Sequence, residues 1–176
     1  MIKLTFAVLA LTLAVSTPAS ADELQPVERV DLARYAGAWY EIASKPTFFQ
    51  KGCVCTRQVL TARADGQLDV YNSCNKKTPQ GKLRDIRGTA ENVDPSSNAK
   101  FKVDFGFPWK GDYWIIGLAE DYSWAVVSDP GNTTLYILSK TPTLSQAAYD
   151  QAVASAAKQK DTSVLAKTRQ ADCTYP

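Results

Sequence analysis

The 176-residue sequence contains no histidine. Histidine is the commonest general base in enzymes and a frequent ligand of zinc and haem. Its absence excludes the Ser–His and Cys–His pairs that activate many nucleophiles. We therefore expect no catalytic residue, no metal site and no cofactor.

A strong excess of charge of one sign is also missing, because 20 Lys and Arg are balanced by 18 Asp and Glu. Nucleic-acid-binding proteins usually carry clustered positive charge, whereas the charges of this sequence are scattered along the chain. We therefore expect no nucleic-acid partner.

The sequence lacks an apolar run long enough to cross a bilayer. The one extended run, Leu4 to Val15, has about 12 residues, whereas a membrane-spanning helix needs roughly 20. It follows Lys3 and precedes Ala19–Ser20–Ala21. This is the pattern of a secretory signal peptide cleaved after Ala21, with an N-terminal anchor helix as the alternative.

This leader sets the expected domain boundaries and location. We expect residues 1–21 to be removed as a signal peptide and residues 22–176 to form a single domain. No cysteine lies near the cleavage point to accept a lipid. We therefore expect an exported protein, periplasmic or secreted, without a lipoprotein anchor.

The chain has four cysteines, Cys53, Cys55, Cys74 and Cys173. In an exported chain an even number of cysteines predicts two disulfides. A zinc site is the alternative, but Cys53 and Cys55 are closer together than zinc ligands usually are. Counting residues across the hairpin at Asp65–Gly66 puts Cys55 nearer to Cys74 than Cys53 is, which leaves the pairing open.

Short runs of strand-forming residues, separated by turn signals such as Asp65–Gly66, dominate most of the chain. From Phe101 to Phe107 apolar and polar residues alternate, as in a half-buried strand. Eight strands are predicted, over residues 37–43, 54–63, 67–75, 82–93, 101–107, 113–119, 123–128 and 134–140.

The pattern changes after the eighth strand. Residues 147–158 are rich in alanine and predict a single helix, and residues 164–171 predict a final strand or an extended tail. This order indicates an all-β protein, an eight-stranded antiparallel up-and-down β-barrel with one C-terminal α-helix packed outside. A β-sandwich is the alternative that the alternation leaves open.

Three short motifs carry a resemblance to a known family. They are Gly37–Ala38–Trp39 with Tyr40–Glu41–Ile42, Asp121–Tyr122 in a late turn, and Leu135 to Lys140. Their order and spacing resemble the three signature motifs of the lipocalin family, over about residues 30–173. The first motif is similar to the group of bacterial lipocalins and apolipoprotein D, and the cysteine pattern is similar to that of chloroplast-type lipocalins.

The resemblance implies how one end of the barrel is closed. In lipocalins the tryptophan of the first motif lies at the closed end, under the cation of the third motif. Here that cation is Lys140, where the family usually has arginine. We expect a structural closure formed by Gly37, Trp39, Asp121, Tyr122 and Lys140.

The resemblance also implies a ligand pocket inside the barrel. Because side chains alternate along a strand, an inward Trp39 implies an inward Ala43, and an inward Lys140 implies inward Leu138 and Tyr136. The loops at residues 44–52, 76–81, 106–112 and 129–133 then lie at the open end. The expected pocket wall and mouth are Ala43, Phe48, Phe49, Phe105, Phe107, Trp109, Tyr113, Tyr136 and Leu138.

Two features of this pocket have alternatives. Phe48 and Phe49 are expected to form an apolar rim, but they could instead fold back onto the barrel or form a dimer contact. Glu41 also points inward, and a buried carboxylate requires partners. Arg84, Arg57 and water are the candidates.

For the cysteines, the resemblance favours Cys55–Cys173 with Cys53–Cys74. The alternative, Cys55–Cys74 with Cys53–Cys173, stays open, since a bulge near Gly52 could decide between them.

The function implied is the binding, transport or scavenging of a small hydrophobic or amphipathic ligand, such as a fatty acid or lysophospholipid. The expected partners are this lipid and, weakly, a membrane surface touched by the mouth aromatics, with the protein a monomer or homodimer. A filled barrel acting as an interaction protein or inhibitor is the first alternative, and a thiol-dependent lipid-modifying enzyme is the second.

Overall fold

The computed structural model describes residues 23–108 and 110–176. The predicted signal peptide and the side chain of Trp109 lie outside the described residues. A short helix α1 (Leu32–Tyr35) precedes eight antiparallel strands, and a helix α2 (Gln146–Ala157) follows them. The strands are β1 (Gly37–Ser44), β2 (Cys53–Ala62), β3 (Leu68–Lys76), β4 (Leu83–Asn92), β5 (Lys100–Asp104), β6 (Lys110–Leu118), β7 (Trp124–Ser128) and β8 (Leu135–Ser139).

Each strand pairs with the next along the chain, and β1 pairs with both β8 and β2. The sheet therefore closes on itself as an up-and-down barrel, and the predicted fold class is confirmed. A two-residue strand β9 (Ala166–Lys167) lies outside the barrel against the end of β1.

The fifth strand is shorter than predicted. It ends at Asp104, and Gly106 has a positive φ of 86° that interrupts the extended backbone. The alternation predicted that Phe107 would continue the inward row of Phe101 and Val103, but it does not. It lies in the β5–β6 loop with 95% of its surface exposed.

A bulge in β1 reverses the expected direction of one side chain. The register shifts between Glu41 and Ala43, so that Ala43 pairs with Ile137 and Ser44 pairs with Tyr136. Ala43 packs in the outer apolar cluster beneath α2, and its predicted place in the pocket wall is wrong. Ser44 takes the inward position instead, because the bulge adds one residue to the strand.

A second bulge determines where the cysteines point. It lies in β2 between Val54 and Arg57, farther along the chain than Gly52, and Cys55 within it has a positive φ of 56°. The structure contains the disulfides Cys53–Cys74 and Cys55–Cys173. This is the pairing that the family resemblance favoured.

The C-terminal tail fills the space where β1 and β2 separate. These two strands pair only as far as Tyr40 and Arg57. Beyond that point the Thr168 N–H donates to the Ile42 carbonyl, and the Cys55 N–H donates to the Arg169 carbonyl, both at 2.9 Å. The tail thus supplies backbone partners that neighbouring strands would otherwise provide.

Helix α2 packs on the outer face of the barrel. Ala152 and Ala156 are fully buried there, and the helix approaches β6 so closely that a side chain at Gly117 would meet the Ser155 hydroxyl at 2.5 Å. Among the described residues, no helix is long and apolar enough to span a membrane.

Candidate functional site

One end of the barrel is closed by Trp39. Its ring is fully buried, 4.9 Å from the Tyr35 ring, and its indole N–H donates to the Tyr35 carbonyl at 2.7 Å. The Lys140 ammonium lies 4.2 Å from the centre of the indole ring. A cation in this position is attracted to the electron-rich face of the ring.

Lys140 also joins the third motif to helix α1. Its Nζ donates to the carbonyls of Tyr35 at 3.0 Å and Ala36 at 2.6 Å. These are carbonyls at the end of a short helix, where a cation is favoured. Gly37 has a positive φ of 99°, and a side chain there would contact the same ammonium at 3.8 Å.

The second motif is tied to the same helix from the other side. The Tyr122 hydroxyl accepts a hydrogen bond from the Asp31 N–H at 2.9 Å, and the Arg34 guanidinium lies 4.0 Å from the Tyr122 ring centre. Asp121 accepts from the Ser123 N–H and holds the turn. Of the five residues proposed for closure, Gly37, Trp39, Tyr122 and Lys140 therefore lie around α1 at one end of the barrel, and Asp121 holds the turn beside Tyr122.

Above this closure the inward face of the barrel is mostly apolar. Leu60, Val70, Val103 and Val127 are buried in the inner cluster, together with Leu138. Phe105, Tyr113 and Tyr136 are partly buried against it. Four of the predicted wall residues (Phe105, Tyr113, Tyr136 and Leu138) thus line one interior.

A band of polar groups crosses this interior. The hydroxyls of Tyr35 and Tyr113 are 2.8 Å apart, and the Tyr113 hydroxyl donates to the Gln58 amide oxygen at 3.0 Å. Burial raises the pKa of Tyr113 above its ordinary value, and burial with the charge of Glu41 does the same for Tyr136. Both phenols therefore stay protonated and available for hydrogen bonding at neutral pH.

Asn72 adds an unsatisfied acceptor to this band. It pairs with Gln58 in the β2–β3 register and so faces the interior. Its buried amide oxygen has no hydrogen-bond partner among the described residues. A buried polar atom without a partner carries a free-energy penalty that a ligand hydroxyl or an ordered water would remove.

Glu41 is held by neutral groups instead of an arginine. It is 5% exposed, and its carboxylate accepts from the Ser44 hydroxyl at 3.0 Å and the Gln50 amide at 2.6 Å. The Thr168 hydroxyl donates to it from the C-terminal tail. Burial raises the pKa of the Glu41 carboxyl, and these three donors oppose that shift. Among the described residues, no Lys or Arg lies within ion-pair distance.

The two arginines expected as partners of Glu41 lie elsewhere. Arg57 is on the outer face, with its guanidinium 5.7 Å from the Tyr175 ring centre. Arg84 pairs with Cys74 on the inward row of β4, but it is exposed at the open end. The β2 bulge explains why Arg57 points outward, because the extra residue inverts the alternation of the side chains that follow it.

The free energy of unfolding of Glu41→Gln is expected to increase relative to that of the parent as the pH rises. The raised pKa means that folding favours the neutral acid, so this stabilisation is complete below the unfolded pKa of about 4.3 and is lost as the pH rises through the folded pKa. Glutamine is neutral throughout. The difference in free energy of unfolding should grow by up to about 1.4 kcal/mol per pH unit within this window.

Urea unfolding of both proteins from pH 4 to pH 8 measures this difference. Glu91→Gln, on the exposed outer row of β4, is the matched control. A Glu41→Gln difference that stays constant over the whole range would contradict the prediction.

At the open end, the inward row reaches solvent. Ile86 pairs with Asn72 on this row and is 38% exposed. Phe48 and Phe49, in the β1–β2 loop, are 77% and 44% exposed, with their rings edge-to-face at 5.5 Å. They lie at the mouth together with Phe107, whereas nothing is described for Trp109.

Sequence reasoning missed several interior residues. Gln58 and Asn72 were not selected, although alternation along β2 and β3 places them beside Trp39. Ile86 was not selected either, although its register with Asn72 places it on the same inward face. Gln50 and Thr168 had no signal in the sequence, because they reach Glu41 from a loop and from a tail 127 residues away.

Fold and site together define a class: a closed eight-stranded barrel with one sealed end, an apolar inward face and an open mouth. Comparison with known proteins identifies a family within this class. The family model described as a lipocalin-like domain matches residues 30–170. The chain belongs to the lipocalin family.

Individual relatives agree with this assignment. Temperature-induced lipocalin-1 of Arabidopsis thaliana is 38% identical over 160 residues, covering 85% of this chain and 84% of its own. Outer membrane lipoprotein Blc of Escherichia coli K12 is 32% identical over 149 residues, covering 85% of this chain and 84% of its own.

Solved structures show the same fold. Insecticyanin from the tobacco hornworm Manduca sexta superposes with a TM-score of 0.69 at 22% identity, covering 90% of this chain and 92% of that one. The tryptamine complex of the amine-binding protein of Rhodnius prolixus superposes with a TM-score of 0.66 at 16% identity, covering 90% of this chain and 91% of that one.

Proposed function

We propose that this lipocalin binds one small amphipathic molecule inside its barrel and transports or scavenges it. The expected ligand is a fatty acid, a lysophospholipid or a similar lipid. The residues proposed to contact its apolar part are Phe105, Tyr113, Tyr136 and Leu138, with Phe48, Phe49, Phe107 and Trp109 at the mouth.

The observation that carries the proposal is the partial solvent accessibility of inward side chains well inside the barrel. Gln58, Asn72, Tyr113 and Tyr136 face the interior but are only half-buried. Side chains in a solidly packed core would touch neighbours on all sides and exclude water. These residues support an interior with room for a ligand, open to solvent near Ile86.

The chemistry of the interior supports an amphipathic ligand over a purely apolar one. Apolar side chains would provide most of the affinity, at about 25 cal/mol per Å² of apolar surface before the costs of binding. The polar band at Gln58, Asn72 and Tyr113 offers hydrogen bonds that a hydrocarbon would leave unsatisfied. A ligand with a hydrocarbon chain and at least one hydrogen-bonding group satisfies both.

The proposed compartment is outside the cytoplasm. All four cysteines are paired, and such disulfides persist in oxidising compartments. The same pairing leaves no free thiol to act as a nucleophile, which supports binding without a covalent step. A protein with a filled barrel is the remaining alternative.

Displacement of a fluorescent fatty acid tests the proposal, together with mass spectrometry of lipids extracted from the native protein. Ile86→Trp, which puts a bulky ring on the inward row at the mouth, is expected to weaken binding about tenfold. Asp85→Trp, one residue away on the outward row of the same strand, is expected to change it less than about twofold.

Two results would reject the proposal. One is the absence of both displacement across a panel of lipids and co-purified lipid, which would indicate a filled barrel. The other is an equal effect of the two tryptophan substitutions, which would show that the ligand does not pass the inward face of β4.

A further inference from the structure

We propose that the open end of the barrel docks on the surface of an anionic phospholipid bilayer. The surface concerned, called here the open-end surface, consists of the β1–β2 loop (45–52), the β3–β4 loop with the start of β4 (76–84), and residues 105–108. This inference goes beyond the proposed function, since it concerns the outer rim and does not depend on which ligand the barrel holds.

The open-end surface has an apolar part. Phe107 is 95% exposed, Phe48 is 77% exposed, and Phe49 and Leu83 are 44% and 42% exposed. They form most of the large exposed hydrophobic side chains among the described residues, and they come from three separate segments. Large apolar side chains gathered at one end of a soluble protein indicate an interaction site.

The same surface carries a cluster of positive charge. Residues 45–52 and 76–84 contain six basic residues and no Asp or Glu. They are Lys45, Lys51, Lys76, Lys77, Lys82 and Arg84. Lys51, Lys77, Lys82 and Arg84 are exposed.

These two segments form one continuous surface. The Lys77 N–H donates to the Gly52 carbonyl at 2.7 Å, and the Lys76 ammonium donates to the Lys51 carbonyl. The Cys53–Cys74 disulfide joins the strands directly below. The basic residues therefore lie beside Phe48 and Phe49, held by backbone contacts.

The closed end has the opposite charge. Its loops (63–67, 93–99 and 119–123), the segment around α1 (28–36) and Lys140 contain six carboxylates against four basic residues. The carboxylates are Glu28, Asp31, Asp65, Asp94, Glu120 and Asp121, and the basic residues are Arg29, Arg34, Arg63 and Lys140. The near-neutral whole chain thus has a positive and a negative end, and an anionic plane would attract the first and repel the second.

A bilayer fits this surface better than a second copy of the chain does. In a symmetric dimer through the same face, the basic residues of both copies would approach each other and repel. An anionic bilayer instead presents phosphates to the lysines and an apolar layer just beneath for the phenylalanines. Docking in this orientation puts the mouth of the barrel against the lipid.

Co-sedimentation with vesicles tests the inference, using protein recovered after export whose N-terminus has been determined by mass spectrometry. Binding is expected to vesicles of phosphatidylcholine containing about one-third phosphatidylglycerol, and to fall steeply on raising the salt concentration. Vesicles of pure phosphatidylcholine should bind at least about tenfold more weakly.

Two double variants separate the two parts of the surface. Lys77→Gln with Lys82→Gln, and Phe48→Ser with Phe107→Ser, should each reduce binding to the anionic vesicles about tenfold or more. Arg29→Gln with Arg63→Gln removes the same charge at the closed end and should have little effect. Circular dichroism reports the folding of every variant, and fatty-acid displacement without vesicles, measured on the parent and the lysine variant, tests the proposed function separately from docking.

Several outcomes would overturn the inference. These are equal binding to neutral and anionic vesicles, no loss in either open-end variant, or an equal loss in the closed-end control. A concentration-dependent dimer that the phenylalanine variant abolishes, without vesicle binding by the parent, would assign the surface to self-association instead.

Discussion

Replacing Cys55 and Cys173 together by alanine is expected to lower the free energy of unfolding by about 5 kcal/mol. The two residues are 118 positions apart, and a cross-link over such a long loop removes a large part of the conformational freedom of the unfolded chain. A loss of this size is comparable to the total stability of many domains.

The same bridge also anchors the tail that completes the barrel. Next to it, the Gln170 amide donates to the carbonyls of Glu41 and Thr56, both at 2.8 Å, and so joins β1 to β2. Releasing the tail would remove these contacts and one of the donors to the buried Glu41 carboxylate. We therefore expect the pH dependence attributed to Glu41 to change in this variant.

The matched control is Cys53→Ala with Cys74→Ala, which opens a loop of only 21 residues. It is expected to cost about 3 kcal/mol by the same reasoning. Guanidinium unfolding without reductant measures both variants. If the short bridge proves more important than the long one, loop entropy and tail anchoring are not the main contributions of Cys55–Cys173.

Trp39→Ala is expected to lower the free energy of unfolding by about 4 kcal/mol, the usual cost of removing a large buried aromatic ring. The ring is fully buried between Tyr35 and Lys140 at the sealed end. Without it, the ammonium loses its aromatic contact and the inner cluster opens onto helix α1. Urea unfolding followed by circular dichroism measures the loss.

Trp39→Phe is the control, because it keeps most of the apolar volume and removes the indole N–H that donates to the Tyr35 carbonyl. Its expected cost is about 1–2 kcal/mol. Combining Trp39→Ala with Lys140→Met should cost about 1 kcal/mol less than the sum of the single changes, because both remove one cation–π contact. A loss below about 1 kcal/mol for Trp39→Ala would show that the seal contributes little to stability.

Sequence reasoning was most successful where local patterns decide the structure. The strand runs, the hairpin at Asp65–Gly66 and the alanine-rich helix all lie close to their predicted positions. It failed at Ala43 and Phe107, where one extra residue or one positive φ ended the alternation. A period-two pattern of apolar residues does not reveal a bulge, because the residues on either side of the bulge still have the pattern of a regular strand.

By itself, then, the sequence determined the eight strands and the external helix, because alternation and turn chemistry act over a few residues. The closure around Trp39, Tyr122 and Lys140 was implied by the family resemblance, and the structure decided for the barrel over the sandwich. Only the tertiary structure decided the direction of Ala43, the partners of Glu41 and the cysteine pairing. It also gathered scattered basic residues at one end of the barrel and acidic ones at the other. These features depend on contacts between segments far apart in the chain, which no local pattern specifies.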